Sequence, residues 1–535
     1  MVATCRRTSH RQWMIFIVLL SFGLRIFRLD FQSIWYDEAF YASLSSVDLA
    51  SLPDLLLDVR VNPPLYFLLL HFWLALGHGE FVLRAFSAFA GALAVGAMYP
   101  LGAAIWGKRL GIAGALALAV SPFHIWYSQE VKMYSLISLL VLLSSYFMAR
   151  LLREDNRRSW LGYGVFTLLA VYTHYLALFV MLAHMTFLTL RRQRYRPVVG
   201  KWIVCALIIG LLYVPWLVAI FLRGGFYDTP ISWIPPAQPL DLFWTIYDFA
   251  FGSTSDHTNP FFILAAVLVA AVLIYVAIKL VSGRIAGAEG DKIGLVWLWL
   301  LLPLVLVFLI SVDWPLPQKR SIYMDRYLTL LLPAFVVLVC YGVMRILQRS
   351  RALGALIAVA LLVPATISTC SLFVDERYHR DQWRQAIAEI RQQAKSGDLL
   401  LVRLHQHVVL YYYGAQEMPW CTVPYLGSAE EYEAFLASEV PPRLSEDGTI
   451  WMIIVSENAN AHRFVDGARD RLMQRVADDE VRGWLLGRYH LLDEKIYQGV
   501  YLASYATTSD APPPRDSSRS YVPLTDSRRY PYTGT

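Results

Sequence analysis

Charge is what this sequence has least of. Of 535 residues only 16% are Asp, Glu, Lys or Arg, while 57% are hydrophobic, and the mean hydropathy is +0.45. That is too little charge and too many apolar runs for an ordinary soluble protein. Cysteine is sparse as well. The five cysteines, Cys5, Cys205, Cys340, Cys370 and Cys421, form no CxxC and lie mostly in or near apolar stretches. This excludes a zinc-ribbon pattern and a disulfide framework, and leaves Cys370 with Cys421 as the one pair to consider as a bridge. No internal repeat is visible, and no pair of Gly/Pro-broken helices occupies matching halves, as the repeat architecture of many transporters would require. A small-residue cleavage site is missing after the basic start (Arg6, Arg7, Arg11) and the apolar run 13–28, so this segment reads as a retained anchor. The net charge of +6 does not point to nucleic acid, because Lys and Arg sit in short clusters between apolar spans, as in cytoplasmic loops.

What fills the chain instead is apolar sequence. A membrane-crossing helix needs about 20 mostly apolar residues, because the hydrocarbon core is about 30 Å thick and each residue rises about 1.5 Å. Spans are expected at roughly 13–29, 81–105, 110–127, 131–152, 158–173, 175–190, 199–222, 260–282, 293–311, 327–348 and 352–373, about eleven in all. With the N-terminus inside, the basic loops at Lys108 and Arg109, Arg153 to Arg158, Arg191 to Arg196, Lys279 to Lys292 and Arg345 to Arg351 all become cytoplasmic. The agreement requires that the run 64–77, short for a span and rich in aromatics, lies along the outer interface; counted as a span it would invert everything downstream. The loops 30–80, 223–258 and 312–326, the turns at Ser128 to Glu130 and at His174, and everything after about residue 374 then lie outside.

The last part of the chain changes character. Beyond Asp375 charge density rises, and the runs Asp398-Leu399-Leu400-Leu401-Val402 and Trp451-Met452-Ile453-Ile454-Val455 read as buried strands between helix-like segments 381–395 and 461–477. The expected fold is therefore a polytopic α-helical membrane protein with interfacial helices in the first outer loop and a C-terminal extracytoplasmic α/β domain. Its divisions are a membrane module over 1–374, the α/β domain over 375–506, and a Pro-, Ser- and Arg-rich tail over 507–535 that lacks apolar periodicity and reads as disordered.

The residues able to do chemistry collect on the outer side. Asp37 and Glu38 form an adjacent acidic pair among aromatics, suited to taking a proton from a hydroxyl and equally at home in the first turn of a helix. Asn62-Pro63-Pro64 makes a rigid entry into the interfacial run. The stretch Ser121 to Tyr134 ends a span with Tyr127 and Gln129 and then offers Glu130 and Lys132, which also read as a surface ion pair. Arg84, near the outer end of a span, must either snorkel or meet an anion, and Arg25 and Arg28 share that ambiguity. His174 sits in a tight outer turn, where it reads as a hydrogen-bonding residue more readily than as a metal ligand. Lys319, Arg320 and Arg326 place cations on the outer side, against the positive-inside bias, as an anion-binding site would. Tyr411-Tyr412-Tyr413 could stack on sugar rings or pack in a core.

Taken in order, Asp37-Glu38, Asn62-Pro63-Pro64-Leu65, Glu80 to Ser87 with Arg84, Ser121-Pro122 leading to Gln129-Glu130, His174-Tyr175 and Arg326-Tyr327-Leu328 resemble the type-C membrane glycosyltransferases. The resemblance is to the protein O-mannosyltransferase-like superfamily that includes the lipid A aminoarabinose transferases, and it runs from residue 13 to about 350. It implies inverting transfer of a sugar from a polyprenyl-phosphate donor, without a nucleotide sugar, to a hydroxyl of a glycan, lipid or protein outside the cytoplasmic membrane. By that analogy Asp37, with Glu38 beside it, supplies the general base, and Glu130 matches the second acidic position. Arg84 and Arg326, with Lys319 and Arg320, would hold the carrier phosphate, and Asn62, Tyr127, Gln129 and His174 would line the substrate site. One departure matters: aminoarabinose transferases carry a lysine just before the double proline, where this chain has Asn62, so their substrate is not carried over. A divalent metal stays open as a cofactor, although no ligand pattern supports one, and no other cofactor is implied. A transporter or flippase for a lipid-linked glycan, and a non-catalytic subunit whose α/β domain binds glycans, remain the alternatives.

Overall fold

The structure is a computed structural model that describes residues 2–59, 62–225, 234–313, 321–403, 406–413, 419–424, 426, 428–455, 476 and 479–506. The chain divides into two compact units. The first comprises Met1–Leu29, Leu44–Gly77 and Val82–Phe373; the second comprises Asp30–Ser43, His78–Phe81 and Val374–Thr535. Two short pieces of the first loop thus belong with the C-terminal part of the chain.

The first unit is helical. Helix α1 (Val2–Ile26) is followed by α2 (Tyr36–Ser46), whose first residues belong to the second unit, by α3 (Leu52–Val59), and by α4 (Leu65–Trp73), which continues as a 3-10 turn to Leu76. Pro64 at its N-cap and Pro63 before it start α4 at the expected place. Running only from Leu65 to Leu76, this apolar helix is too short to cross about 30 Å of hydrocarbon. Next come α5 (Glu80–Trp106), α6 (Lys108–Ala119) and α7 (Pro122–Ser128). Gly107, at φ +98°, turns α5 back onto α6, and a Cβ on Gly102 would lie 2.7 Å from Gly111 Cα, so the backbones meet where only glycine fits. Ser121 caps α7 by accepting from the His124 N–H, with Pro122 in the first turn.

The remaining helices of this unit are α8 (Tyr134–Leu151), α9 (Arg157–Val171), α10 (Ala177–Leu190), α11 (Arg196–Leu222), α12 (Asp241–Phe251), α13 (Pro260–Val281), α14 (Gly287–Ser311), α15 (Leu332–Arg349) and α16 (Arg351–Val374). Every expected span falls on helix, the one expected at 110–127 on two, α6 and α7. Among the described residues seven helices are long and apolar enough to cross a membrane, or eight if α6 and α7, bent by 60°, count as one broken span. The count of about eleven also included α1 and the shorter α9 and α10, which do not reach that length and apolarity. Helix α8 is buried on nearly every side, whereas α11 and α13 turn Leu211, Leu222, Leu264 and Val281 outward as apolar surface that only lipid would solvate well. Cys205, Cys340, Cys370 and Cys421 are free thiols, so the one candidate bridge, Cys370 with Cys421, does not form.

The second unit carries a five-stranded sheet. Its elements are α17 (Trp383–Gln393), β1 (Leu399–Arg403), α18 (Gln406–Tyr413), β2 (Trp420–Val423), α19 (Ala429–Glu439), β3 (Thr449–Val455), a helix over Glu480–Leu486, β4 (His490–Tyr497) and β5 (Val500–Ala506). The strand order is β2-β1-β3-β5-β4; β1 runs parallel to β2 and β3, and β5 runs antiparallel to β3 and β4. Parallel neighbours need crossover connections, which α18 and α19 supply. Asp398 ties the first strands together by accepting from the Thr449 N–H at 2.8 Å and the Trp451 indole at 3.1 Å. The strands expected at 398–402 and 451–455 and the helix expected at 381–395 are present; the helix expected at 461–477 and the tail 507–535 lie outside the described residues, 476 excepted. Tyr412 is buried and packs in the core with Tyr411 edge-on to it and half-buried, and the Tyr413 side chain lies outside the described residues.

Candidate active site

The candidate residues divide between the two units. In the first, the turn from Gln129 to Met133 joins α7 to α8 and is closed by the Lys132 N–H donating to the Glu130 carbonyl at 2.8 Å. Glu130 and Lys132 are both buried, at 3% and 5% exposure, which is not what a surface ion pair predicts. The turn is tied to its surroundings through Ser87: its hydroxyl donates to the Lys132 carbonyl at 3.0 Å and lies 3.2 Å from the Tyr66 hydroxyl. The Leu65 N–H, just after Asn62-Pro63-Pro64, donates to the Tyr172 carbonyl at 3.0 Å, which ties the proline turn to the turn carrying His174. Asn62 is itself buried.

Around this turn aromatic rings and charges gather. Tyr127 lies 5.2 Å from Tyr134, Tyr134 lies 6.5 Å from Tyr327, and Tyr327 lies 5.8 Å from His174, measured between ring centroids. The Arg326 guanidinium sits 5.6 Å from the Tyr327 ring centre, a cation–π placement. The charges of Glu130, Arg326, Asp325 and Asp248 all act on the Tyr127 phenol, and that of Lys132 acts on His174. Burial, then Lys132, pushes the His174 imidazole down to about 4, so it is neutral at pH 7 and its Nδ1 accepts from the Leu176 N–H at 3.2 Å. Tyr127, Glu130, His174 and Arg326 thus come together as one buried cluster, joined by Lys132. In such a water-poor setting, cations can meet a phosphate and carboxylates can orient hydroxyls with little reorganisation.

Other candidates have different surroundings. Arg84 is buried and donates to the Leu29 carbonyl at 3.0 Å. The Gln129 side chain caps the end of α1, donating to the carbonyls of Arg25 and Phe27 at 3.1 and 3.0 Å. Arg25 neither snorkels nor meets a carboxylate in the bonds that hold it: it donates to the carbonyls of Ser21, Leu118 and Ala119, to the hydroxyls of Ser21 and Ser128, and to Nδ1 of His124. Arg28 is exposed and donates to the Phe373 carbonyl. Lys319 and Arg320 lie outside the described residues.

Sequence reasoning passed over three polar groups of this unit. Asp325 accepts from the Thr245 hydroxyl at 2.8 Å, and Asp248 lies 3.1 Å from His257, whose ring stacks on Tyr247 at 4.5 Å. The signal for Asp248 was a lone carboxylate inside the aromatic run Phe243 to Phe251. Among the described residues no three His, Cys, Asp or Glu side chains converge to hold a metal ion.

In the second unit Asp37 and Glu38 occupy the first turn of α2 but differ in setting. Glu38 is wholly buried, pairs with Arg380 at 2.6 Å and accepts from the Trp35 N–H at 3.4 Å, the backward reach of a capping box. Asp37 is half-buried, and its charge, after burial, pushes the Tyr36 phenol up.

Residues 61–218 match the family model described as dolichyl-phosphate-mannose-protein mannosyltransferase. Among solved structures the chain is similar to ArnT from Cupriavidus metallidurans bound to undecaprenyl phosphate, at 14% identity and a TM-score of 0.53, covering 94% of this chain and 99% of that one. It is also similar to the oligosaccharyltransferase AglB from Archaeoglobus fulgidus in complex with an inhibitory peptide and a dolichol-phosphate, at 12% identity and a TM-score of 0.51, covering 95% and 75%. The chain shares the fold of these two proteins. No curated protein sequence matches it significantly. The fold agrees with the resemblance read from the sequence, and with a multi-pass membrane protein carrying a small C-terminal sheet domain.

Proposed function

We propose that this protein is an inverting glycosyltransferase that moves a sugar from a polyprenyl-phosphate donor to an acceptor hydroxyl on the outer face of the cytoplasmic membrane. The observation that carries the reading is the buried cluster of Lys132 and Arg326 with Glu130 around Tyr127 and His174, in a fold whose solved relatives hold lipid phosphates. Arg326 and Lys132 meet the carrier phosphate, with Arg84, Lys319 and Arg320 as further cations, and they stabilise the charge that grows on it as the sugar leaves. Glu130 and His174 orient sugar or acceptor hydroxyls, with Tyr127 and Asn62 beside them, while Gln129, whose side chain caps α1, holds the turn that carries Glu130. Asp37 is the general base. As the acceptor oxygen bonds the anomeric carbon, its proton passes to the Asp37 carboxylate and the electron pair of the breaking C–O bond leaves on the phosphate. The basic loops support a cytoplasmic N-terminus with the reaction and the C-terminal domain outside.

Incubation of the purified protein with a panel of polyprenyl-phosphate sugars and candidate glycan, lipid and peptide acceptors tests this. Consumption of a donor with release of the polyprenyl phosphate is expected. Failure to consume any donor, with directional movement of a lipid-linked glycan across proteoliposomes instead, would point to the flippase class.

A further inference from the structure

The second unit holds three stretches that are far apart in sequence, and buried charge joins them. Arg380, before α17, pairs with Glu38, and Arg384, in the first turn of α17, pairs with Glu80. Side-chain exposure at these four residues runs from 0% to 13%, so neither pair is a surface bridge. Further bonds grip the same loop. The Arg380 N–H donates to the Gln32 side chain at 3.0 Å, Arg384 donates to the Asp30 carbonyl at 2.7 Å, and the Arg384 N–H donates to the Ser33 hydroxyl at 3.2 Å. From α18, the Tyr412 hydroxyl accepts from the Ile34 N–H at 2.5 Å and donates to Glu80, Tyr411 donates to the His78 carbonyl at 3.0 Å, and His407 lies 2.9 Å from the Ser43 hydroxyl.

Stability alone is a poor reason for this arrangement. Burying an ion pair costs several kcal/mol of desolvation per ion, and well-packed apolar residues often do as well or better. What two buried, directional pairs supply in addition is a single geometry. Asp37 sits inside the gripped stretch, with Gln32, Ser33 and Ile34 fixed before it and Glu38 and Ser43 fixed after it. We infer that Arg380 and Arg384 are positioning residues that set the place of the Asp37 carboxylate, and that Glu38 serves this clamp as the partner of Arg380. The inference rests on the reading of Asp37 as base. It gives the C-terminal domain a part in the reaction: α17 and α18 hold the base-bearing turn, and a misplacement of about 1 Å at a reacting group costs about 10²-fold in rate.

The test uses the full-length protein in nanodiscs with the donor it consumes. Arg380→Ala is expected to lower kcat by about 10- to 100-fold while leaving donor affinity as in the wild type. In the Asp37→Asn background the same substitution should cost nothing further, because a residue acting through Asp37 has nothing left to position. The exchanged pair, Glu38→Arg with Arg380→Glu, should recover most of kcat, and it remains informative if Arg380→Ala alone fails to fold. Unchanged kcat in Arg380→Ala, a full further loss in the Asp37→Asn background, or a well-folded exchanged pair that stays inactive would each overturn the inference. Wild-type transfer by Asp37→Asn would instead remove the reading of Asp37 as base, whatever the arginine variants do.

Discussion

Arg25 in the membrane unit and Arg380 in the sheet-bearing unit are both largely buried, yet they are satisfied in different ways. Arg25 donates to three carbonyls, two hydroxyls and an imidazole nitrogen, so its charge is spread over neutral groups of its own helix α1, of the C-terminal end of α6 and of α7. Arg380 is matched to one carboxylate, Glu38, and its neighbour Arg384 to another, Glu80. A cation at the C-terminal end of a helix answers orphan carbonyls and the helix dipole, and needs no further purpose. One-to-one buried pairs beside a candidate base are harder to explain by stability alone. The Tyr127 cluster is a third arrangement, with charges of both signs among phenols and an imidazole, suited to a ligand whose own charge changes during reaction.

The contrast can be broken or sharpened experimentally. The largest effect is expected at Asp37, where Asp37→Asn should lower turnover by about 10²- to 10⁴-fold with membrane insertion and donor binding intact; sugar-transfer rates and donor binding on the same preparation check this. Arg326→Ala should weaken donor binding by about 10- to 100-fold, the worth of one charge-assisted hydrogen bond, as read by titration of the lipid donor in nanodiscs. Unchanged affinity there would take the phosphate role from Arg326. Arg25→Ala should lower thermal stability by leaving buried carbonyls unanswered, at about 1–3 kcal/mol for each group left without a donor, while the rate per folded molecule stays at the wild-type value. A loss of rate at constant stability would place Arg25 in the reaction and erase the contrast.

The smallest effect concerns Asp381, next to Arg380. Burial, partly offset by Arg380, pushes its carboxyl up to about 7. A carboxyl whose folded value is raised holds its proton more tightly when folded, so its contribution to stability falls as pH rises from the ordinary carboxylate range to about 7 and then levels off. Asp381→Asn should therefore stabilise the protein at pH 8 and change little near about pH 4, measured by thermal melting at both values. Equal gains at the two pH values would mean that the carboxyl is not held protonated by burial.

Helices were legible because long apolar runs leave few alternatives, and Pro63 and Pro64 mark a start that the structure uses; Ser121 and Pro122, read as the interior of one span, instead start a separate helix. Strands β1 and β3 announced themselves as apolar runs buried on both faces. Strand β2, four residues long, and β4, which mixes Asp493, Glu494 and Lys495 with apolar residues at a sheet edge, carry no such signal. The site was legible as residue types but not as groupings. Nothing local to Glu38 or Glu80 announces arginines more than 300 positions away, and Lys132 beside Glu130 looks like an exposed ion pair until the burial of both is seen. The two units are also interleaved: Asp30–Ser43 and His78–Phe81 join the C-terminal unit through long-range contacts that no run of sequence displays.

The central claim is that Asp37 takes the proton of an acceptor hydroxyl attacking a polyprenyl-phosphate sugar. Its most direct test is the rate of sugar transfer by Asp37→Asn at saturating donor, compared with the wild type in the same nanodiscs. The account predicts a fall of about 10²-fold or more with donor affinity unchanged; transfer at the wild-type rate would contradict it.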